Sequence, residues 1–135
     1  TTHQAARQQA RRENAETVLR ILNQGKDAAF LTLGDPLTYS TFSYLAQTLT
    51  ALEPDITIKT IPGITSYQAV ASRLMVPLCE GEESLLVLSG TQGGKALRKA
   101  VKQADNIVML KTYKNFSNIL STLEDLNLAD KTIGI

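Results

Sequence analysis

The chain has 135 residues, 43% of them hydrophobic and 20% charged, which suits a folded core of modest size and argues against disorder. Lys and Arg number 14 against 13 Asp and Glu, a formal charge of +1, so there is no electrostatic footprint for sequence-independent nucleic-acid binding. Cys79 is the single cysteine, which excludes an intrachain disulfide and a cysteine zinc cluster and fits a reducing, cytoplasmic setting. No apolar run approaches the ~20 residues of a membrane-spanning helix, and the polar stretch Thr1–Asn14 lacks a signal-peptide apolar region. A soluble protein with no membrane partner is expected.

From Gln4 to Gln24, Ala5, Ala6, Ala10, Ala15, Val18, Leu19 and Leu22 recur at helical spacing, with Gly25 placed as a C-terminal cap. Arg7, Arg11 and Arg12 fall on neighbouring turns with Glu13 and Glu16 behind them, the pattern of a solvated charged face. His3 has no acidic or cysteine partner nearby and reads as neither ligand nor base. The apolar run Ala28–Leu33 reads as a strand that ends in the turn Gly34-Asp35-Pro36, and Ser40 or Thr41 offers a cap for a helix running to Leu52. Ile56, Ile58 and Ile61 alternate with polar residues, predicting a second strand with one buried face. It enters a similar turn, Pro62-Gly63-Ile64-Thr65-Ser66, and a helix over 67–74. Thr65 or Ser66 is placed to cap that helix, whose free N–H groups suit an anion or carboxylate.

Composition shifts to Pro, Gly and acidic residues over Val76–Glu83, which places a boundary there and divides the chain into units 1–79 and 80–135. Cys79, inside this hinge, reads as an inert, partly buried thiol. The second unit opens with the strand Leu85–Leu88, the glycine-rich turn Ser89–Gly94 and a helix over 95–103. Neither phosphate-loop nor dinucleotide glycine spacing is present, and Lys95, Arg98, Lys99 and Lys102 read as a solvated face. Ile107–Leu110 is the next strand, with Lys111 at its carboxyl end. Phe116, Ile119, Leu120 and Leu123 mark a further helix, and Thr132–Ile135 reads as the start of a last strand. The pattern opens within a helix and stops within a strand, so an internal piece, truncated at both ends, is expected.

Alternating strands and helices imply an α/β protein of two units with mainly parallel sheets, whose strand ends carry Gly34, Gly63, Gly90 and Lys111. No Ser-His-Asp set, zinc cluster or base-stacking platform can be assembled. That inventory suits a binder of a reactive cofactor, in which positioning supplies most of the rate.

Phe30–Phe42, Ile61–Ala69 and Ile107–Lys111, in that order and spacing, resemble the tetrapyrrole methylases, and Tyr39-Ser40-Thr41 after Gly-Asp-Pro resembles the precorrin-2 C20-methyltransferase branch. The resemblance runs from about Ala28 to Leu120 and implies two α/β domains: the remainder of an N-terminal domain over 1–79 and the first part of a C-terminal domain over 80–135. It implies S-adenosylmethionine as cofactor, with Leu33, Gly34 and Asp35 at its amino-acid end, largely through backbone, and Thr38 nearby. Thr65 and Ser66 would line the same pocket, and Lys111 would approach the nucleoside end. The substrate implied is precorrin-2 or cobalt-precorrin-2, a polycarboxylate to which Lys114 is a weak candidate contact. No protein-bound metal and no catalytic side chain are assigned, and a cytoplasmic homodimer is expected of the full-length protein. The family's opening Gly-x-Gly-x-Gly-Asp turn has no counterpart here, so the isolated piece is expected to be catalytically incomplete. Other tetrapyrrole methylases, of the uroporphyrinogen III or precorrin-4 type, and a non-enzymatic ligand-binding α/β module stay open as alternatives.

Overall fold

The computed structural model describes residues 2–135, with side chains from His3 onward. The chain separates into two compact units, residues up to Ala69 and residues from Val70, each with its own buried side chains. None of the described helices is long and apolar enough to cross a membrane.

The first unit is built on α1 (Thr2–Leu22) and α2 (Phe42–Leu52), which pack against each other. Gly25 closes α1 at φ +73°, the left-handed geometry expected of a capping glycine, and its N–H donates to the Leu22 carbonyl at 2.9 Å. Ala15 of α1 is fully buried, and Phe42 and Leu49 of α2 are buried as well. Phe30 adds an aromatic contact, its ring centroid 5.4 Å from that of Phe42. In the apolar stripe of α1 Ala15 is buried and Val18, Leu19 and Leu22 are half-buried, whereas Ala5, Ala6 and Ala10 are exposed. Length explains this: an 11-residue helix, about 16 Å long, covers only half of one that is 21 residues and about 31 Å. The charged face also differs from expectation. Arg12 pairs with Glu16 at 2.8 Å, but Arg11 lies 3.7 Å from the centre of the Tyr44 ring, a cation–π contact that binds it to α2. The helix α3 (Ser66–Leu74) starts at the end of this unit.

In the second unit β1 (Leu85–Ser89) and β2 (Asn106–Leu110) form a two-stranded parallel sheet, in register from Leu85 opposite Asn106 to Ser89 opposite Leu110. A 3₁₀ turn at Gly90–Gln92 and helix α4 (Gly94–Ala100) connect them, the strand–helix–strand unit that parallel pairing requires. Helix α5 (Phe116–Asp125) packs on α4. Leu97 and Ala100 of α4 and Ile119 and Thr122 of α5 are buried. Phe116 and Leu120, expected in the apolar stripe of α5, face outward. Thr122 takes an inward place because its hydroxyl is satisfied locally, donating to the Asn118 carbonyl at 2.8 Å. Asp105 clamps the entrance of the sheet: one carboxylate oxygen accepts from both the Ser84 N–H (2.9 Å) and the Ser84 hydroxyl (2.7 Å). Ser84 answers by accepting the Asp105 N–H at 3.1 Å.

The α/β class is as expected, but strands do not form at Ala28–Leu33, over 56–61 or at Thr132–Ile135. Among the described residues, parallel pairing is confined to β1 and β2. An alternating or apolar pattern supplies a face, but a strand exists only when a neighbour takes its N–H and C=O groups, and these segments find none. Leu31 and Leu33 are consequently 90% and 98% exposed. The segment after α3, where composition places the boundary at 79/80, is irregular, and Cys79 in it is exposed rather than partly buried.

Two outcomes follow from this packing. A Cβ on Gly94 would lie 1.9 Å from Thr122 Oγ1 and 2.9 Å from Thr122 Cβ, so Gly94→Ala should lose about 1–3 kcal/mol in urea unfolding, partly restored by adding Thr122→Ala. Hydrogen bonds from the Ser84 N–H and hydroxyl hold the Asp105 carboxyl below its ordinary 3.8. The stabilisation is therefore present above 3.8 and lost as pH falls through the lower folded value. The melting temperature of Asp105→Asn, followed from about pH 5 downward, should fall less steeply than that of the wild type.

Candidate functional site

Two turns that lie far apart in the sequence of the first unit meet backbone to backbone. Gly34 adopts φ +72°, a conformation that side-chain-bearing residues rarely take, and faces Ile64 and Thr65. Gly63 lies so close beneath it that an ideal Cβ there would be 2.2 Å from the Gly34 carbonyl oxygen. The Gly34-Asp35-Pro36 and Pro62-Gly63-Ile64 turns are thus brought together, as their shared sequence design suggests. The Asp35 carboxylate accepts hydrogen bonds from the Leu37 N–H (2.9 Å), the Thr38 hydroxyl (3.1 Å) and the Gly63 N–H (3.3 Å). The Leu37 N–H, then the Gly63 N–H, hold its carboxyl below the ordinary 3.8.

Thr65 is buried, and its hydroxyl is committed to a capping box with Gln68. The Thr65 N–H donates to Gln68 Oε1 at 3.1 Å, while the Gln68 N–H donates to Thr65 Oγ1 at 3.4 Å. Thr65 Oγ1 itself donates to Gln68 Oε1 at 2.7 Å. Ser66 and Tyr67 then occupy the first two helical positions of α3, whose N–H groups have no acceptor within the helix. Ser66 is exposed beside them. At α2 it is Ser40, not Thr41, that serves the helix start: Ser40 Oγ accepts the Phe42 N–H at 3.2 Å. Leu33 precedes this group with its side chain in solvent. Leu33, Gly34, Asp35, Thr38, Thr65 and Ser66 therefore form one neighbourhood.

Lys111 and Lys114 belong to the second unit. Lys111 directly follows β2 at φ +59°, left-handed backbone that turns the chain sharply out of the strand. Thr112 then packs against Gly90, where an ideal Cβ would be 2.9 Å from Thr112 Cγ2, so the exits of the two strands adjoin. Asn115 fastens them, its side-chain amide donating to the Gly90 (3.1 Å) and Thr91 (3.0 Å) carbonyls. Lys114 lies in the exposed turn Tyr113–Asn115, its ammonium 5.6 Å from the Tyr113 ring centre.

The glycine-rich turn after β1 spends its own polar groups. The Gly93 N–H donates to the Gly90 carbonyl (2.9 Å), the Gly94 N–H to Asn118 Oδ1 (2.8 Å) and the Thr91 N–H to Ser89 Oγ (3.4 Å). Those amides are taken, which is the physical counterpart of its failure to match a phosphate loop. A groove of about 560 Å³ between α4 and α5 is lined by Lys95, Arg98, Lys99, Lys102 and Asp125 among others, and Arg98 pairs there with Asp125. None of the expected cofactor residues lines it. Gln68 and Asn115 escaped the reading of the sequence. The first was legible as Thr-x-x-Gln ahead of a helix; the second bridges 25 and 24 residues, for which no local pattern exists.

Comparison with known proteins bears on the same residues. The profile of the tetrapyrrole (corrin/porphyrin) methylases matches residues 1–134. The cobalt-precorrin-2 C(20)-methyltransferase of Salmonella typhimurium is 32% identical over 118 residues, covering 87% of this chain and 48% of the relative. A probable cobalt-precorrin-2 C(20)-methyltransferase of Methanocaldococcus jannaschii is 37% identical over 116 residues, 86% and 47% of the two chains. The precorrin-2 C(20)-methyltransferase of a Sinorhizobium species is 30% identical over 122 residues, 90% and 49%. The chain spans about half the length of the curated relatives it matches. With the paired glycine turns in place and the family profile running along nearly all of its residues, the chain belongs to the tetrapyrrole (corrin/porphyrin) methylases.

Proposed function

We propose that this chain takes part in S-adenosylmethionine-dependent methyl transfer to C20 of precorrin-2 or cobalt-precorrin-2 in cobalamin biosynthesis. The names of the relatives support the precorrin-2 branch over the uroporphyrinogen III and precorrin-4 types. The observation that carries the cofactor reading is the approach of Gly63 to Gly34. Two backbones without Cβ atoms meet there, beside the N–H groups of Ser66 and Tyr67 that α3 leaves unspent, an arrangement suited to the carboxylate of an amino-acid moiety. The residues present therefore fit the amino-acid end of the cofactor. When bound, S-adenosylmethionine supplies a methyl group carried on a positively charged sulfur.

The roles of the chain's own residues are to hold, orient and exclude water. Gly63 lets its turn close on Gly34, Thr65 fixes the start of α3, and the exposed Leu33 offers apolar surface for a ligand to cover. Asp35, Thr38 and Ser66 complete this neighbourhood, Lys111 is assigned to the nucleoside end, and Lys114 to the polycarboxylate substrate. Division into a first domain over 1–79 and a second over 80–135, a cytoplasmic location and a homodimeric whole protein complete the reading.

Titration calorimetry with S-adenosylhomocysteine tests it. The chain should give a saturable heat, and Gly34→Ala, which forces a Cβ into left-handed backbone 3.4 Å from the Ile64 carbonyl oxygen, should weaken binding about tenfold or more. Absence of saturable heat, under conditions in which the Methanocaldococcus relative binds, would remove the pocket from this chain. With the full-length protein, labelled methyl found by carbon NMR anywhere on the macrocycle other than C20 would overturn the branch.

A further inference from the structure

The two oxygens of Asp35 do different work. Oδ1 accepts the Leu37 N–H and the Thr38 hydroxyl, closing the turn in which Asp35 itself sits. Oδ2 reaches across 28 residues of sequence to accept the Gly63 N–H. That second bond spans the point where an ideal Cβ on Gly63 would also come within 3.4 Å of Asp35 Cα. Both oxygens are thus engaged by the protein's own donors, Oδ1 by two and Oδ2 by one. Asp35 is half-buried, and the bonds from Leu37 and Gly63 favour its ionised form, the state in which both oxygens accept.

We infer that Asp35 is a positioning residue rather than a cofactor contact: its carboxylate clasps the Gly34 turn to the Gly63 turn and so sets the opening between Gly34 and the start of α3. The inference rests on the cofactor reading above for its consequence, but not for its geometry. The role of Asp35 thus moves from the amino-acid end of the cofactor to the frame that shapes the pocket. Glycine at position 63 permits the approach and the carboxylate maintains it, so the two residues act as one device.

Asp35→Asn separates the two oxygens. An amide retains a single acceptor, which the Leu37 and Thr38 donors occupy, and presents NH₂ toward the Gly63 N–H, where donor meets donor. In the ligand-free chain, amide hydrogen exchange of Gly63 read by NMR should accelerate about tenfold in the variant, with Leu37 changed by less than about twofold. Calorimetry should show S-adenosylhomocysteine binding weakened about three- to tenfold in the same variant. Asp35→Ala should release both amides. Unchanged Gly63 exchange in Asp35→Asn overturns the clasp. Weaker binding with unchanged exchange makes Asp35 a direct contact, and faster exchange with unchanged affinity overturns the link from clasp to pocket. A wild-type chain that binds no S-adenosylhomocysteine removes the cofactor reading and the pocket role with it, while Gly63 exchange still decides the clasp.

Discussion

Close approach to glycine backbone, where a Cβ would not fit, is the constraint on which both units depend. In the first, Gly63 lies against the Gly34 carbonyl; in the second, Gly94 lies against Thr122, and Gly90 against Thr112. Each contact joins segments that are 20 or more positions apart in sequence. Few large side chains are buried, so these contacts replace part of the interlocking that a thicker apolar core would provide. Closeness has a requirement of its own: polar backbone groups brought together must be satisfied by what is at hand.

Short polar side chains meet that requirement. Asp35 ties one turn to another, Asp105 binds the residue ahead of β1, and Asn115 and Asn118 hold the turn that follows β1. The consequence for α5 is visible just ahead of its first residue. Asn115 stands at the cap position but makes no capping bond; its side-chain NH₂ donates instead to the Gly90 and Thr91 carbonyls. Local helix stability is given up there for a link between the exits of two strands. Thr65 shows the opposite choice, its hydroxyl and N–H both serving the helix that it starts.

Such an arrangement suits chemistry that relies on placement. The side chains around the glycine turns are occupied in holding those turns, which is the pattern expected where a cofactor brings in the reactive group, as the proposed function has it. Family membership gives the same direction, and the relatives' names narrow it to C20 of a precorrin-2 macrocycle as the proposal. The lysine-rich groove between α4 and α5 stands apart from this, with no expected site residue in it.

Much of the architecture was legible in the sequence because it is local. Helical spacing located the α-helices of the described residues to within a few positions, Gly25 marked the end of α1, and the apolar runs at Leu85 and Ile107 became the paired strands. The paired turns at Gly34 and Gly63 also stood out by composition. Tertiary structure alone decided the rest. Whether Ala28–Leu33 and the alternating isoleucines form strands depends on a hydrogen-bonding neighbour, which no pattern within the segment specifies. Arg11 turned from solvent to the Tyr44 ring because α2 happened to lie beside it, and Phe116 turned outward because α4 meets the Ile119 and Thr122 side of α5. The division of the Asp35 oxygens between its own turn and Gly63 could be seen only once the two turns met, since a hydrogen bond between distant residues leaves no periodicity along the chain.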